Sequence, residues 1–324
     1  MIKTLLLFLF STFLLQAQSY APAAGQTGST AIAADSDVFI AWATGIELQR
    51  GYVNISNPSQ EHEGSNYATY GVAEDALGIA TNNVVSLGDA GEAILTFETP
   101  IADEDGFDFA VFENSFSDTF LELAFVEVSS DGVNYFRFPS HSETQSETQV
   151  GGFGSVDPTY INNLAGKYRG LFGTPFDLSD LEEDALLNKN NITHIKIIDV
   201  VGSIDPAYAR YDSFGNAIND PFSTPFYSSG FDLDGIGVIN QQSLSIDDQE
   251  YSAISIYPNP ASNEFYINSA EKVNVSIYNI LGKMVISKEV DSNNPIQISE
   301  LKSGIYLVRI ALNGKISQHR LIRN

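Results

Sequence analysis

The sequence predicts an all-β protein: a jelly-roll-like antiparallel β-sandwich followed by a second, smaller β-sandwich. Three observations carry this. Short segments rich in Val, Ile and Phe alternate with Gly, Asp, Asn and Pro turns along nearly the whole chain. No strand–helix–strand alternation appears, which argues against a parallel nucleotide-binding sheet. The charge also changes sign sharply, which marks a domain boundary. Residues 1–250 carry 8 Lys+Arg against 36 Asp+Glu, and residues 251–324 carry 8 against 5.

The first element is an export signal. Met1-Ile2-Lys3 is a short basic start, Thr4 to Leu15 is an apolar run, and Ala17-Gln18 ends it before a small-residue stretch. That is the order of a secretory signal peptide, residues 1–18, and the run is well short of the roughly 20 residues that span a bilayer. The expected mature chain has no transmembrane segment. The 324 residues contain no cysteine, which excludes disulfides, thiolate metal sites and lipid attachment through an N-terminal cysteine.

Residues 19–240 form the expected acidic cargo domain. Val38–Ala43, Val84–Leu87, Ala93–Glu98, Phe107–Phe112, Ala124–Ser129, Tyr135–Phe138, His194–Val200 and Ile236–Asn240 read as strands. One helix is expected: Ser179-Asp180-Leu181-Glu182 has a capping-box pattern, Ala185 and Leu186 follow at helical spacing, and Asn188 to Asn191 ends it. Residues 241–250 are polar and read as a linker. Residues 251–324 read as about seven short strands, including an Asn313-Gly314 hairpin, enough for a minimal sandwich.

Two resemblances sharpen this. Tyr257-Pro258-Asn259-Pro260, then Ser276 to Lys283 with Gly282, then Leu301 to Arg309 with Gly304 and Tyr306, resemble the type A C-terminal sorting domain of the type IX secretion system. The resemblance covers about residues 251–324. It implies an Ig-like sandwich, the type IX secretion machinery as partner, and passage through the periplasm to the outer-membrane surface or the medium. In the middle domain, Ser129-Ser130-Asp131-Gly132-Val133-Asn134-Tyr135 is similar to the hairpin of galactose-binding-like jelly rolls. Phe109 to Asn114 and Gly230 to Asp234 resemble uncharacterised secreted bacterial domains.

Candidate chemistry lies in the acids and aromatics. The metal candidates are Asp103 and Asp105, in a glycine-containing acidic loop, and Asp232 with Asp234, two apart on one strand face. Calcium is the ion such oxygen ligands suit, although the loop lacks EF-hand spacing and the bland reading is a solvated acidic turn. Four histidines, none paired at i, i+4, do not suggest zinc. Glu113 follows Phe107, Phe109 and Val111 on one strand face, and Asp199 follows Ile195 and Ile197. Two half-buried carboxylates are what a glycoside hydrolase uses, but such residues more often accept backbone N–H bonds in loops. No Gly-x-Ser-x-Gly elbow, His-Glu-x-x-His or P-loop occurs. Residues 152–230 are dense in aromatics. Tyr208, Tyr211, Phe226 and Tyr227 are the ligand-stacking candidates, with loop fastening as the bland alternative.

The expected function is therefore that of a secreted or cell-surface protein. Its cargo is expected to be a non-catalytic glycan-binding, ligand-binding or adhesion module. The alternatives are a carbohydrate-active hydrolase with paired carboxylates and a structural surface protein. No cofactor is required, and calcium is the candidate ion. The acidic excess argues against nucleic acid as a partner.

Overall fold

The computed structural model describes residues 20–242, 254–269, 272–291, 294–312 and 315–324. The expected signal peptide, most of the expected linker and the Asn313-Gly314 turn lie outside the described residues. The chain divides into Met1–Gln242 and Ser243–Asn324. Among the described residues no helix is long and apolar enough to cross a membrane.

The first unit contains β1 (Ile32–Ala33), β2 (Ala41–Trp42), β3 (Gly45–Gln49), β4 (Val85–Ser86), β5 (Glu92–Ile101), β6 (Phe109–Glu113) and β7 (Ala124–Ser129). It continues with β8 (Phe136–Arg137), β9 (His141–Ser142), β10 (Ile161–Asn162), β11 (Phe172–Phe176), β12 (Ile192–Asp199) and β13 (Asp232–Val238). One sheet runs β1-β11-β6-β13-β2, with β4 also on β13, a second runs β3-β5-β12-β7-β8, and β9 and β10 pair as a small third. Every pairing is antiparallel. The strand period of two explains the sandwich. Phe109 and Val111 of β6, Val126 and Val128 of β7, and Ile195 and Ile197 of β12 all enter one shared core. Each such buried side chain contributes about 1.5–3 kcal/mol. On the other face of β6, Ala110 and Phe112 pack with Phe39 and Trp42.

Two sequence expectations are corrected. No α-helix forms around Leu181. Leu178–Asp180 is a single 3-10 turn capped by the Asp177 carboxylate, which accepts the Ser179 N–H at 2.9 Å. Leu178, Leu181 and Leu187 are all buried in the core, and Lys189 Nζ donates to the Leu181 carbonyl at 2.6 Å, so the segment is pinned as a loop. Strand β11 was not expected, because Phe172-Gly173-Thr174-Pro175-Phe176 contains two residues that strands disfavour. Pro175 sits where β1 no longer pairs, so its missing N–H costs no ladder bond. Gly173 has no room for a side chain, since an added Cβ would meet the Phe112 ring. Gln241 and Gln242, expected in the linker, hydrogen-bond the carbonyls of Thr99 and Pro100.

The hairpin at Ser129–Tyr135 is held by Asp131. Its carboxylate accepts the N–H groups of Val133 and Asn134, both at 2.8 Å, and these bonds hold it well below the usual carboxylate range. The long loops are fastened by buried amides and carboxylates as much as by aromatics. Asn219 accepts the Val150 N–H and donates to the carbonyls of Gln145 and Thr148. Asp212 accepts from Ser142, Phe214 and Asn216.

The second unit contains β14 (Ser255–Tyr257), β15 (Glu264–Asn268), β16 (Val273–Asn279), β17 (Met284–Val290), β18 (Ile296–Gln297), β19 (Gly304–Leu312) and β20 (Lys315–Arg323). These form the sheets β14-β15-β18 and β17-β16-β19-β20 around Phe265, Ile277, Ile296, Val308 and Leu321. The motif residues have structural work. Asn259 Nδ2 donates to the Arg320 carbonyl at 2.6 Å and its Oδ1 accepts the Ile322 N–H at 2.9 Å, tying the Tyr257–Pro260 turn to β20. Asn279 Oδ1 accepts the N–H groups of Leu281 and Lys283 at 3.0 Å each, in a turn that Gly282 completes at φ 74°. Tyr306 donates its hydroxyl to the Lys302 carbonyl at 2.8 Å.

Candidate functional site: a buried acid cluster under an aromatic rim

The topology gathers carboxylates at one end of the first sandwich. Glu113 ends β6 and lies opposite Leu233, next to Asp232 at the start of β13. Asp199 ends β12 opposite Ala124, where β7 begins, and Glu122 lies two residues earlier. Between Leu233 and Gly235 the β6–β13 register shifts, so Asp234 is an extra, unpaired residue. Bulges of this kind re-aim side chains beside functional sites. Asp89, Glu113, Glu122, Asp199, Asp220, Asp232 and Asp234 are all buried.

Most of these acids are committed to the backbone. Asp199 accepts N–H bonds from Ala90, Val201 and Phe231, at 2.8–2.9 Å. Asp234 accepts from Thr81 and Asn82, Asp220 from Leu123, and Asp89 from Ile55. Glu113 accepts the Ser115 N–H at 2.7 Å. Asp232 accepts the Ser86 hydroxyl. With its amide nitrogen turned toward the acids, Asn114 donates to Glu113 Oε1 at 3.2 Å and to Asp232 Oδ2 at 3.3 Å. Those two carboxylates therefore lie within hydrogen-bond reach of one nitrogen. Glu122 differs, because its carboxylate makes no hydrogen bond among the described residues and it is 6% exposed.

Burial, then mutual repulsion, shifts these groups upward. Burial pushes Asp232 to about 7, opposed by the Ser86 hydrogen bond and reinforced by the charge of Asp199. Asp89 rises to about 7 through burial and Asp199, and Asp199 to about 6 through burial. Glu113 and Glu122 are raised well above the ordinary value by burial, and next by Asp232. The charges of Glu113, Asp220 and Asp199 also act on Glu122. Neighbouring carboxylates in low dielectric cannot all ionise, so near neutral pH the cluster retains protons.

A cavity of about 270 Å³ opens over the cluster. Glu122 and Asp232 line it, with Asn114, Ser115 and Thr224 as further polar groups. Phe116, Phe120, Phe153 and Phe226 line it too. Phe116 stacks on Phe120 with centroids 4.4 Å apart, Phe120 faces Phe153 at 6.4 Å, and Phe153 meets Phe226 at 5.7 Å. The series continues through His62, 6.0 Å from Phe226, to Tyr227 at 5.4 Å and Tyr70 at 5.5 Å from Tyr227. Phe116 and Phe153 are each 74% exposed.

The sequence candidates divide accordingly. Asp232 and Phe226 come together at this cavity, Glu113 lies behind it on the shared Asn114 amide, and Tyr227 extends the aromatic series. Asp199 belongs to the cluster but is held by three backbone donors. Tyr208 and Tyr211 line no part of this cavity, and Tyr211 is 49% exposed. Asp103 meets Asp108 and Asp177, with ligand atoms within 4.8 Å of one another, and Asp105 is outside that group. Both oxygens of Asp108 accept protein donors, the N–H groups of Glu104 and Leu178 and the Asn240 amide. Asp234, spent on two N–H groups, does not share a ligand position with Asp232. Glu122, Phe116, Phe120 and Phe153 were not singled out from sequence. The apolar neighbours of Glu122, Leu121 and Leu123, were the available signal, because alternation across an acid implies a carboxylate set into a packed segment.

Comparison with known proteins bears chiefly on the second unit. Residues 255–324 match the model of the secretion system C-terminal sorting domain. An ulvan lyase of Nonlabens ulvanivorans is 33% identical over 94 residues, 26% of this chain and 17% of the lyase. The β-glucuronidase of Ruminococcus gnavus in complex with uronic deoxynojirimycin aligns over 88% of this chain and 45% of that chain, at 10% identity and a TM-score of 0.21. Its apo structure gives the same identity, coverage and TM-score. The chain spans less than half the length of each of these relatives.

Proposed function

We propose, for a chain whose C-terminal unit is a type IX secretion sorting domain directing it to the cell surface or the medium, that the first unit is a saccharide-binding module. The observation that carries this is the cavity whose phenylalanine rim stands over polar and acidic groups, the combination that stacks on a sugar ring and hydrogen-bonds its substituents. Exposed Phe116 and Phe153 supply ring faces, while Asn114, Thr224, Ser228 and the acids supply hydrogen-bonding partners. The test is an oligosaccharide array followed by calorimetry on the full exported chain. Binding should weaken at least tenfold in Phe153→Ala. Absence of any saccharide ligand across neutral, acidic and amino sugars would refute the proposal.

The shared Asn114 contact of Glu113 and Asp232 favours a second reading, glycoside hydrolysis by paired carboxylates. It requires release of new reducing ends from a bound glycan and loss of that release in Asp232→Asn. Binding without turnover would leave the first reading alone.

A further inference from the structure

We infer that the group entering this cavity carries a positively charged nitrogen, so that the saccharide taken by the first unit is an amino sugar with a free amine. The inference rests on the reading of the cavity as a binding site. Its starting point is Glu122, a cavity-lining carboxylate that is 6% exposed and unpartnered among the described residues. The charges around Glu122 are Asp232, Glu113, Asp220 and Asp199, all acids. Among the described residues no Lys, Arg or His lines the cavity. Of the cations near the cluster, Arg50, which acts on Asp232, is committed to the carbonyls of Tyr70, Gly71 and Ser86, and Arg210 acts on Asp199. A buried carboxyl without donor or counter-ion keeps its proton, and a cationic ligand supplies the donors and the charge that let it ionise.

The spacing favours an organic cation over a bare metal. Among the described residues, the acids that bring three ligand atoms within 4.8 Å of one another are Asp103, Asp108 and Asp177, not Glu113, Glu122 and Asp232. Calcium needs six to eight oxygens at bonding distance. An ammonium reaches separated carboxylates through three divergent N–H donors. The rim adds a second preference, since the faces of Phe116, Phe120, Phe153 and Phe226 attract a cation through their ring quadrupoles. A neutral hydroxyl gains nothing comparable from them. A volume of about 270 Å³ suits one such group rather than a large ligand.

The experiment is calorimetry at pH 7.5 on the full exported chain with pentaglucosamine, penta-N-acetylglucosamine and tetramethylammonium. Pentaglucosamine should bind at least tenfold tighter than its acetylated form. Glu122→Gln should abolish that preference, and Phe153→Ala at the exposed rim should weaken both sugars. Equal affinity for the two sugars, or an unchanged preference in Glu122→Gln, would overturn the inference while leaving saccharide binding standing. Tetramethylammonium binding without either sugar would keep the cation site and remove the saccharide reading. No binding of any of the three would overturn the inference. Thermal melting of Glu122→Gln guards against misfolding, because removing a buried, repelled carboxylate should not lower its melting temperature.

Discussion

Replacing Asp232 with Asn should stabilise the first unit, and more at pH 8 than at pH 5. Asp232 is 7% exposed and faces the Asp199, Glu113 and Glu122 charges, with Arg50 as the opposing cation. Its carboxyl sits at about 7 in the folded protein against 3.8 unperturbed. The folded state therefore holds a proton that the unfolded chain releases, so the penalty is absent below pH 3.8 and grows until about pH 7. The full penalty is on the order of 4 kcal/mol above pH 7, and roughly 2 kcal/mol at pH 5. Asn keeps an acceptor for the Ser86 hydroxyl, and the charge-assisted part of that bond is already contained in the value of about 7. The net expectation is a gain of about 4 kcal/mol at pH 8 and about 2 kcal/mol at pH 5. For a unit of this size the gain at pH 8 is a rise of roughly 8–16 °C in melting temperature. Differential scanning calorimetry of wild-type and Asp232→Asn full-length chains at both pH values measures it. An equal shift at the two pH values, or a loss confined to pH 8, would show that Asp232 is stabilised as an anion and refute the reasoning.

Three further outcomes follow from named contacts. Gly132→Ala should destabilise the first unit by about 2 kcal/mol in urea titration, since φ is +73° and the new Cβ would lie 2.9 Å from the His194 ring. Asn259→Ala should lower the urea midpoint of the second unit by about 1 kcal/mol in free energy and reduce the exported fraction, because both ties to β20 are lost. Deleting residues 251–324 should leave the first unit in the periplasm in cell fractionation, and normal export of the truncated chain would count against the sorting role.

The strands were legible where one face is apolar and the other is not. Ala124–Ser129 was read with its observed limits, and the seven-strand second unit emerged from alternation and turn residues. Period-two patterning records burial directly, which is why these succeeded. β11 failed because its glycine and proline are tolerated only for tertiary reasons, the Phe112 ring on one side and an absent neighbour on the other. The expected helix failed for a related reason. Ser179 to Glu182 look like a capping box, yet Asp177 caps a three-residue turn, and Leu178, Leu181 and Leu187 are drawn separately into the core. For the site, Glu113 is legible as an acid ending an apolar strand face, and Asp232 as an acid two residues from Asp234 on one strand. Their meeting with Glu122 and Phe153 depends on which strands pair and on where the long loops fold back, and no local pattern encodes either.

The acidity of the first unit then has two different causes. Part of it is exposed and keeps an exported protein soluble. The buried part is unusual and calls for a separate reason. A sandwich with long loops leaves many backbone N–H groups without a sheet partner, and a carboxylate is the side chain that accepts several such bonds at once. Asp108, Asp199, Asp212 and Asp234 each accept two or three, and Asp89, Glu113 and Asp220 accept one each. Their charges are offset by donors, so they explain the fold without invoking a ligand. Among the described residues, Glu122 accepts no backbone donor, and Asp232 accepts only side-chain donors, the Ser86 hydroxyl and the Asn114 amide. These two also line the cavity. Loop fastening accounts for the other buried acids, and the pair it leaves over is the pair that faces the aromatic rim, which is why the binding site is placed there and not at the larger acidic surface.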